Sequence, residues 1–291
     1  MSHRFYTLDV FTNTRFEGNP LAVFTDGDGL SQDTMQAIAR EMNLSETVFV
    51  QKPTEDDALA RLRIFTTQTE LKLAGHPVIG TWFLLAELGV VPAQEGGVHI
   101  LQQTGAGILP VEILFKDGRP ERVTMTQKEA RFKPIKFKKA ALAAALGLSL
   151  KDLDSSAEPT YVSTGLFNLM VPLRNRAALE KIKMNISELR RLIGKDATMA
   201  YCFALNGNGK AFARGMLPWG MYEDAATGSA AGSLGAFLIK HKKLNAGHTL
   251  NIQQGVEMGR PSQIAVEVMG SGKRLIPRVS GAAVRVFEGT I

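Results

Sequence analysis

The sequence predicts an α+β protein built as two similar halves with a cleft between them. The chain has 291 residues, 45% of them hydrophobic and 21% charged, enough for two modest domains, each with its own core. Short runs of alternating apolar and polar residues, bounded by Gly, Pro and Asn, recur along its length and read as strands. Two short apolar helical stretches, "GHPVIGTWFLLAEL" from Gly75 and "GSAAGSLGAFLIKH" from Gly228, can be laid over one another. His76 then falls opposite Ser229, 153 positions on (229 − 76). Self-similarity of this kind marks a duplicated unit; chance likeness between two apolar helices is the alternative.

Taken in order, "FYTLDVFT" alternates as a strand, "NTRFEGNP" supplies turn residues, and "LAVFT" is a second strand. A helix follows, with an N-cap at Ser31, a hydrophobic staple between Leu30 and Met35, and Met35, Ile38, Ala39 and Met42 on one face. "ETVFVQ" and "ARLRIFTT" are strands. The helix at "GHPVIGTWFLLAELG" stops at Gly89, and "GVHILQQT", "GILPVEILF" and "ERVTMTQ" continue as strands. "FKKAALAAALGLS" is a helix with a Gly stop, after which the same kinds of element return. "YVSTGLFNLMVPL" is strand-like, "RAALEKIKMNISELRRLIG" helical, "MAYCFALN" and "AFARGMLP" paired strands, and "GSAAGSLGAFLIKHKKL" the second apolar helix. The strands "TLNIQQGVEMG", "SQIAVEVMG" and "GAAVRVFEG" close the chain.

A net charge of +6 raises the question of nucleic acid. The basic residues gather in "RFKPIKFKK", "RRLIGK" and "KHKK", without zinc-finger spacing, a basic heptad region or an RNP-type aromatic pattern. A solvated face is the plainer reading, and no nucleic-acid partner is expected. No apolar run reaches the roughly 18–20 residues that span a bilayer, so no membrane partner is expected. The opening "MSHRFYTLDVF" enters strand-like alternation directly, with neither an h-region nor a transit helix. Cys202, the one cysteine, cannot form an internal disulfide. A reducing, cytoplasmic setting is the expectation.

Both apolar helices begin with Gly before a polar residue. Glycine admits a ligand close to the backbone, and the first turn of a helix offers free N–H groups and a partial positive charge. Two such ends facing one cleft suit an anion, a carboxylate or developing charge; ordinary capping is the alternative for each. In "DAATGSAAG" the residues Asp224, Thr227 and Ser229 exceed what one cap needs. In "NLSETVFV", Glu46 stands where a helix yields to an apolar strand, an environment that disfavours a charged carboxyl and tunes it for proton transfer; a surface acid at a helix end is the plain alternative. There is no G-x-x-x-x-G-K-[ST] loop, "TGAGILP" and "NGNGKAF" hold only G-x-G, and no G-x-S-x-G elbow is present. The histidines His3, His76, His99, His241 and His248 show no metal-ligand spacing, so no metal is expected.

The stretches "DVFTNTRFEGNPLAVF", "MQAIAREMNLSETVFV", "RIFTTQTELKLAGHPVIGT", "EDAATGSAAGSLGAFL" and "QQGVEMGRPS", in this order, make the chain resemble the PhzF-like (phenazine biosynthesis-like) family over essentially its whole length. The resemblance implies a diaminopimelate epimerase-like fold. This has two pseudo-symmetric halves, each a curved, mostly antiparallel sheet or barrel around a central apolar helix. The halves would be 1–125, completed by a returning strand near 279–291, and 126–278, with the active-site cleft between them. It also implies a homodimer, no cofactor, and isomerisation of a small organic acid by moving a proton along a diene. The catalytic positions implied are Glu46, which moves the proton, with His76, Asp224 and Ser229. Ser45, Gly75, Thr227 and Gly228 are the substrate-binding candidates beside them. Epimerases and racemases of this fold use two cysteines; here the matching neighbourhoods carry Glu46, His76 and Ser229, which argues against a two-thiol racemase. A binding protein that keeps the cleft without turnover is the alternative reading.

Overall fold

In the computed structural model, which describes residues 2–207, 209–220, 222–272 and 274–291, the chain forms two units. One runs to Thr126 and takes back Ser280–Ile291; the other is Gln127–Val279. The first begins with β1 (Arg4–Val10), β2 (Asn19–Phe24), α1 (Gln32–Met42), β3 (Glu46–Gln51), β4 (Ala60–Phe65) and β5 (Glu70–Leu71). It continues with α2 (Gly75–Glu87), β6 (Gly96–Thr104), β7 (Gly107–Lys116) and β8 (Arg119–Thr126). The second holds β9 (Arg131–Pro134), α3 (Lys139–Ala145), β10 (Thr160–Ser163), β11 (Phe167–Pro172), α4 (Arg176–Glu180) and α5 (Ile186–Ile193). After these come β12 (Ala200–Leu205), β13 (Lys210–Met216), β14 (Glu223–Asp224), α6 (Gly228–Lys240), β15 (Leu250–Gln254), β16 (Ser262–Ser271) and β17 (Arg274–Gly281), whose last two residues already count with the first unit. Finally β18 (Ala283–Thr290) pairs antiparallel with β1 in the first unit.

The two units repeat one pairing scheme. In the first, the ladder runs β18-β1-β2-β3-β4-β6-β7-β8, with β2–β3 and β4–β6 parallel and the other pairs antiparallel. In the second it runs β9-β10-β11-β12-β13-β15-β16, with β11–β12 and β13–β15 parallel in the corresponding places. The two-residue strands β5 and β14 pair with the ends of β4 and β13. Each is clamped by a bidentate ion pair: Arg63 to Glu70 at 2.8 and 2.7 Å, and Arg214 to Glu223 at the same two distances. Such forks add geometric definition as well as energy, and each directs the chain into the helix that follows.

Those helices, α2 and α6, have no polar face, and a helix apolar all round must be buried. His76 through Ala86 are all buried in α2, which packs on β1, β2, β3, β7, β8 and β18. In the second unit α6 packs on β10, β11 and β16. Close approach demands glycine: a Cβ on Gly80 would come within 2.6 Å of Val10, and one on Gly235 within 2.8 Å of Val266. Trp82 is fully buried, its indole N–H donating to Gln102 Oε1 at 2.8 Å.

α1 is capped by Ser31, whose hydroxyl accepts from the Thr34 N–H at 3.1 Å, and it stops at left-handed Asn43. Its apolar face builds a small cluster with Phe24, Phe49 and Phe65. The expected single helical stretch "RAALEKIKMNISELRRLIG" is two helices, α4 and α5. The Asn175 side chain caps the first and Asn185 the second. Between them the N–H groups of Lys183 and Asn185 bond to Leu146 O and Ala145 O at the end of α3, so tertiary partners replace the intrahelical ladder there. Strands β9 and β17 were not expected; β9 lies inside the basic stretch "RFKPIKFKK". Lys133 pairs with Asp196 and Lys139 with Glu158, and Lys240 at the end of α6 lies over the Phe132 ring. Cys202 is fully buried on β12, and burial pushes its thiol up to about 12. No helix among the described residues is long and apolar enough to cross a membrane.

Candidate active site

Glu46 opens β3, in register with Leu21 of the parallel strand β2. Ser45, just before it, spends its hydroxyl on Asn19 Oδ1 at 3.2 Å, which ties the turn to β2. His76 is the second residue of α2, and its ring is buried. The two meet: His76 Nε2 lies 3.3 Å from Glu46 Oε2, with side chains only 8% and 16% exposed. Burial drives the imidazole down from 6.5 to about 3, so at neutral pH the contact joins a neutral imidazole to a carboxyl group rather than a full ion pair. A neutral ring beside a carboxyl can hold it in place while a proton comes and goes.

The start of α2 is also short of donors' partners. Ala74, its N-cap, provides no side-chain cap, and no acidic residue stands in the first turn. α6 repeats this: Thr227 at the N-cap gives no side-chain cap to the helix; its hydroxyl donates to Asp224 Oδ2 at 2.5 Å and accepts from Gln254 Nε2. α3 is uncapped as well, but it begins beside exposed Lys138, where water serves. At α2 and α6 the first turns are largely buried, so their N–H groups suit an anionic ligand.

Within the second unit the structure gathers Asp224, Thr227, Gly228 and Ser229. Asp224 ends β14, Thr227 caps α6, and Gly228 and Ser229 form its first turn. The carbonyl of Gly228 accepts from Gln127 Nε2 at 2.9 Å, and that of Ser229 from Thr164 and Ser233. These bonds fix the backbone of the half-buried Ser229. Gln254, fully buried on β15, donates to Asp224 O and to Thr227 Oγ1 at 2.8 and 3.0 Å. No cluster of His, Cys, Asp and Glu among the described residues could hold a metal ion.

Residues 8–289 match the model of the family described as "Phenazine biosynthesis-like protein". The chain belongs to the phenazine biosynthesis-like family. It is 37% identical to the trans-2,3-dihydro-3-hydroxyanthranilate isomerase of Pseudomonas aeruginosa, over 99% of this chain and 98% of that one. Among solved structures it resembles the phenazine biosynthesis protein, PhzF family, of Bacillus anthracis, with a TM-score of 0.90 at 29% identity, covering 100% of this chain and 99% of the other. A hydroxyproline epimerase from Agrobacterium vitis shares the fold at 14% identity and a TM-score of 0.69, covering 100% of this chain and 92% of that one. The fold is thus the epimerase-like α+β architecture expected, and the protein is an isomerase acting on a small molecule.

Sequence reasoning missed Gln254, Tyr201, Gln127 and Asn19. The first stands in "QQGVEMGRPS", quoted for its likeness to the family but given no task. A lone glutamine or asparagine in a strand carries no periodic signal, and its partners are set by pairing across the sheet.

Proposed function

We propose that this family member moves a proton between carbons of a small cyclic or carboxylate-bearing metabolite, with Glu46 as the acid–base group. The contact of Glu46 with the neutral, buried His76 carries the reading. As carboxylate, Glu46 takes a proton from an acidic C–H, and the electron pair shifts along the adjoining π-system. As carboxylic acid it returns the proton to a different carbon, so atoms and electrons balance and the product is an isomer. His76 steadies the carboxyl through both steps. N–H groups of Gly75 and Gly228 receive a substrate carboxylate or developing enolate charge. Asp224, Thr227 and Ser229 orient polar groups of the substrate, and Ser45 holds the turn that presents Glu46. That both sets of residues serve one substrate is part of the proposal.

The compound that names the Pseudomonas relatives, trans-2,3-dihydro-3-hydroxyanthranilate, is the first substrate to try. Incubation in D₂O should wash deuterium into one carbon position with wild type and not with Glu46→Gln. Equal incorporation in both would remove Glu46 from the role. A bound compound with no incorporation would favour a protein that binds without turnover. The proposal places the protein in the cytoplasm as a homodimer, in line with its family and its one buried thiol. Sedimentation velocity at micromolar concentration, giving twice the 31.6 kDa chain mass, tests the dimer.

A further inference from the structure

We infer that Gln254 is a positioning residue: it anchors the turn from Asp224 to Thr227 and forces the Thr227 hydroxyl to donate to Asp224. The inference rests on the role proposed above for Asp224.

Direction is the heart of it. A backbone N–H can only donate, and that of Thr227 meets Gln254 Oε1 at 3.2 Å. The Tyr201 hydroxyl donates to the same oxygen at 2.8 Å. The amide oxygen must therefore face these two donors, and Nε2 must face the other way. There it finds two acceptors, Asp224 O at 2.8 Å and Thr227 Oγ1 at 3.0 Å. With an N–H directed at its oxygen, Thr227 has its own hydrogen left for Asp224 Oδ2, 2.5 Å away. One fixed backbone donor thus sets the polarity of the whole chain of bonds, and Asp224 is held as an acceptor with a defined orientation.

The network is built rather than incidental. Gln254 and Tyr201 are fully buried and Thr227 is 8% exposed. Burial also lifts the Tyr201 hydroxyl far above the usual range, so it remains a donor. Glycine at 215 keeps the adjoining strand out of the way: a Cβ there would lie 3.1 Å from Gln254 Nε2 and 3.2 Å from Thr227 Oγ1. Ser262 bonds the carbonyls of both Ala225 and Gln254, closing the turn onto β15.

A buried glutamine in the first unit offers a comparison. Gln102, paired with Ala60 of β4, is fully buried and takes one donor, the Trp82 indole, on its oxygen. Its Nε2 meets no acceptor among the described residues. A buried glutamine in these sheets therefore does not need two acceptors to be tolerated, and the two that Gln254 finds belong to the Asp224–Thr227 turn.

Gln254→Glu keeps the oxygen that faces Thr227 N–H and Tyr201 but removes the donors to Asp224 O and Thr227. Its effect is measured with Thr227→Val, the double variant, and Tyr201→Phe, in which Thr227 N–H still orients the amide. With trans-2,3-dihydro-3-hydroxyanthranilate, kcat/KM should fall roughly ten- to hundredfold in Gln254→Glu. Adding it to Thr227→Val should cost clearly less than its loss in the wild-type background, because the two variants share the Thr227 hydroxyl and differ only in the bond to Asp224 O. Additive losses, or an equal fall in Tyr201→Phe, would show a general effect of charge or packing and overturn the inference. Amide hydrogen exchange across 224–229 needs no substrate: it should speed up about tenfold in Gln254→Glu and hold in Tyr201→Phe. Unchanged exchange in Gln254→Glu overturns the inference. If wild type does not turn over the compound, that substrate assignment fails and the exchange result alone decides for or against Gln254.

Discussion

Glu46 Oε2 and His76 Nε2 lie 3.3 Å apart, one at the mouth of a strand and the other in the first turn of a helix buried on every side. Thirty positions of chain separate them (76 − 46), and the pairing of β3 with β4 and the return through β5 bring them together. In the proposed mechanism, a carboxyl beside a neutral ring exchanges a proton without first breaking an ion pair.

Replacing Glu46 by Gln should therefore lower isomerisation by at least about a hundredfold and leave the fold intact. Single-turnover kinetics followed by ¹H NMR, with circular dichroism as the control, would check this. Activity near that of wild type would assign the proton step to another group.

His76 also predicts a pH dependence of stability. Its pKa is depressed from 6.5 in the unfolded chain to about 3 in the folded protein, through burial. The unfolded state thus binds the proton more readily, and stability rises with pH across this interval. The contribution is complete above about 6.5 and is lost progressively as pH falls toward 3. Urea midpoints at pH 7, 5.5 and 4 should fall less steeply in His76→Asn than in wild type. Parallel slopes would mean that the ring is charged in the native state.

Ser229→Ala deletes a hydroxyl while leaving in place the carbonyl that Thr164 and Ser233 hold. It should reduce kcat/KM about tenfold with no change in thermal midpoint. An unchanged kcat/KM would take Ser229 out of the substrate contacts.

The two arginine clamps should differ in weight. The Arg214–Glu223 side chains are 10% and 12% exposed, against 14% and 31% for Arg63–Glu70. Arg214→Met strands a buried carboxylate and should destabilise the protein by about 3 kcal/mol. Arg63→Met leaves Glu70 nearer to water and should cost less. Equilibrium denaturation of both variants, giving equal losses, would show that burial does not set the difference.

Asn185→Ala removes the cap that starts α5, with its acceptor bond to the Glu188 N–H at 3.2 Å. The expected loss is about 1 kcal/mol with kinetics unchanged. No loss of stability would mean that packing of Leu189 and Ile193 alone fixes the helix.

Much of the fold was legible because burial leaves a periodic mark. The apolar runs from Gly75 and Gly228 have no polar face, so each had to be a core helix, and both prove to be thirteen residues long. Ser31 declared the start of α1 through its side chain. The break between α4 and α5 was hidden, because the bonds that interrupt the helix come from the end of α3. Strand β9 was hidden for a related reason: its lysines and arginines read as solvent-facing charge until the rings and carboxylates beneath them were in place.

The residue types at Glu46, His76, Asp224 and Ser229 and their local settings, at a strand entrance and at helix starts, were determined by the sequence alone. Local chemistry chooses caps, glycines and apolar faces. Tertiary structure decided what those residues touch: Glu46 on His76, Thr227 on Asp224, and Gln254 behind both Thr227 and Asp224. Hydrogen-bond partners across a sheet are fixed by strand register, a non-local quantity, and the direction of each bond depends on which neighbour can only donate. Nothing in "QQG" announces that its second glutamine faces a backbone N–H on one side and a carboxylate-bearing turn on the other.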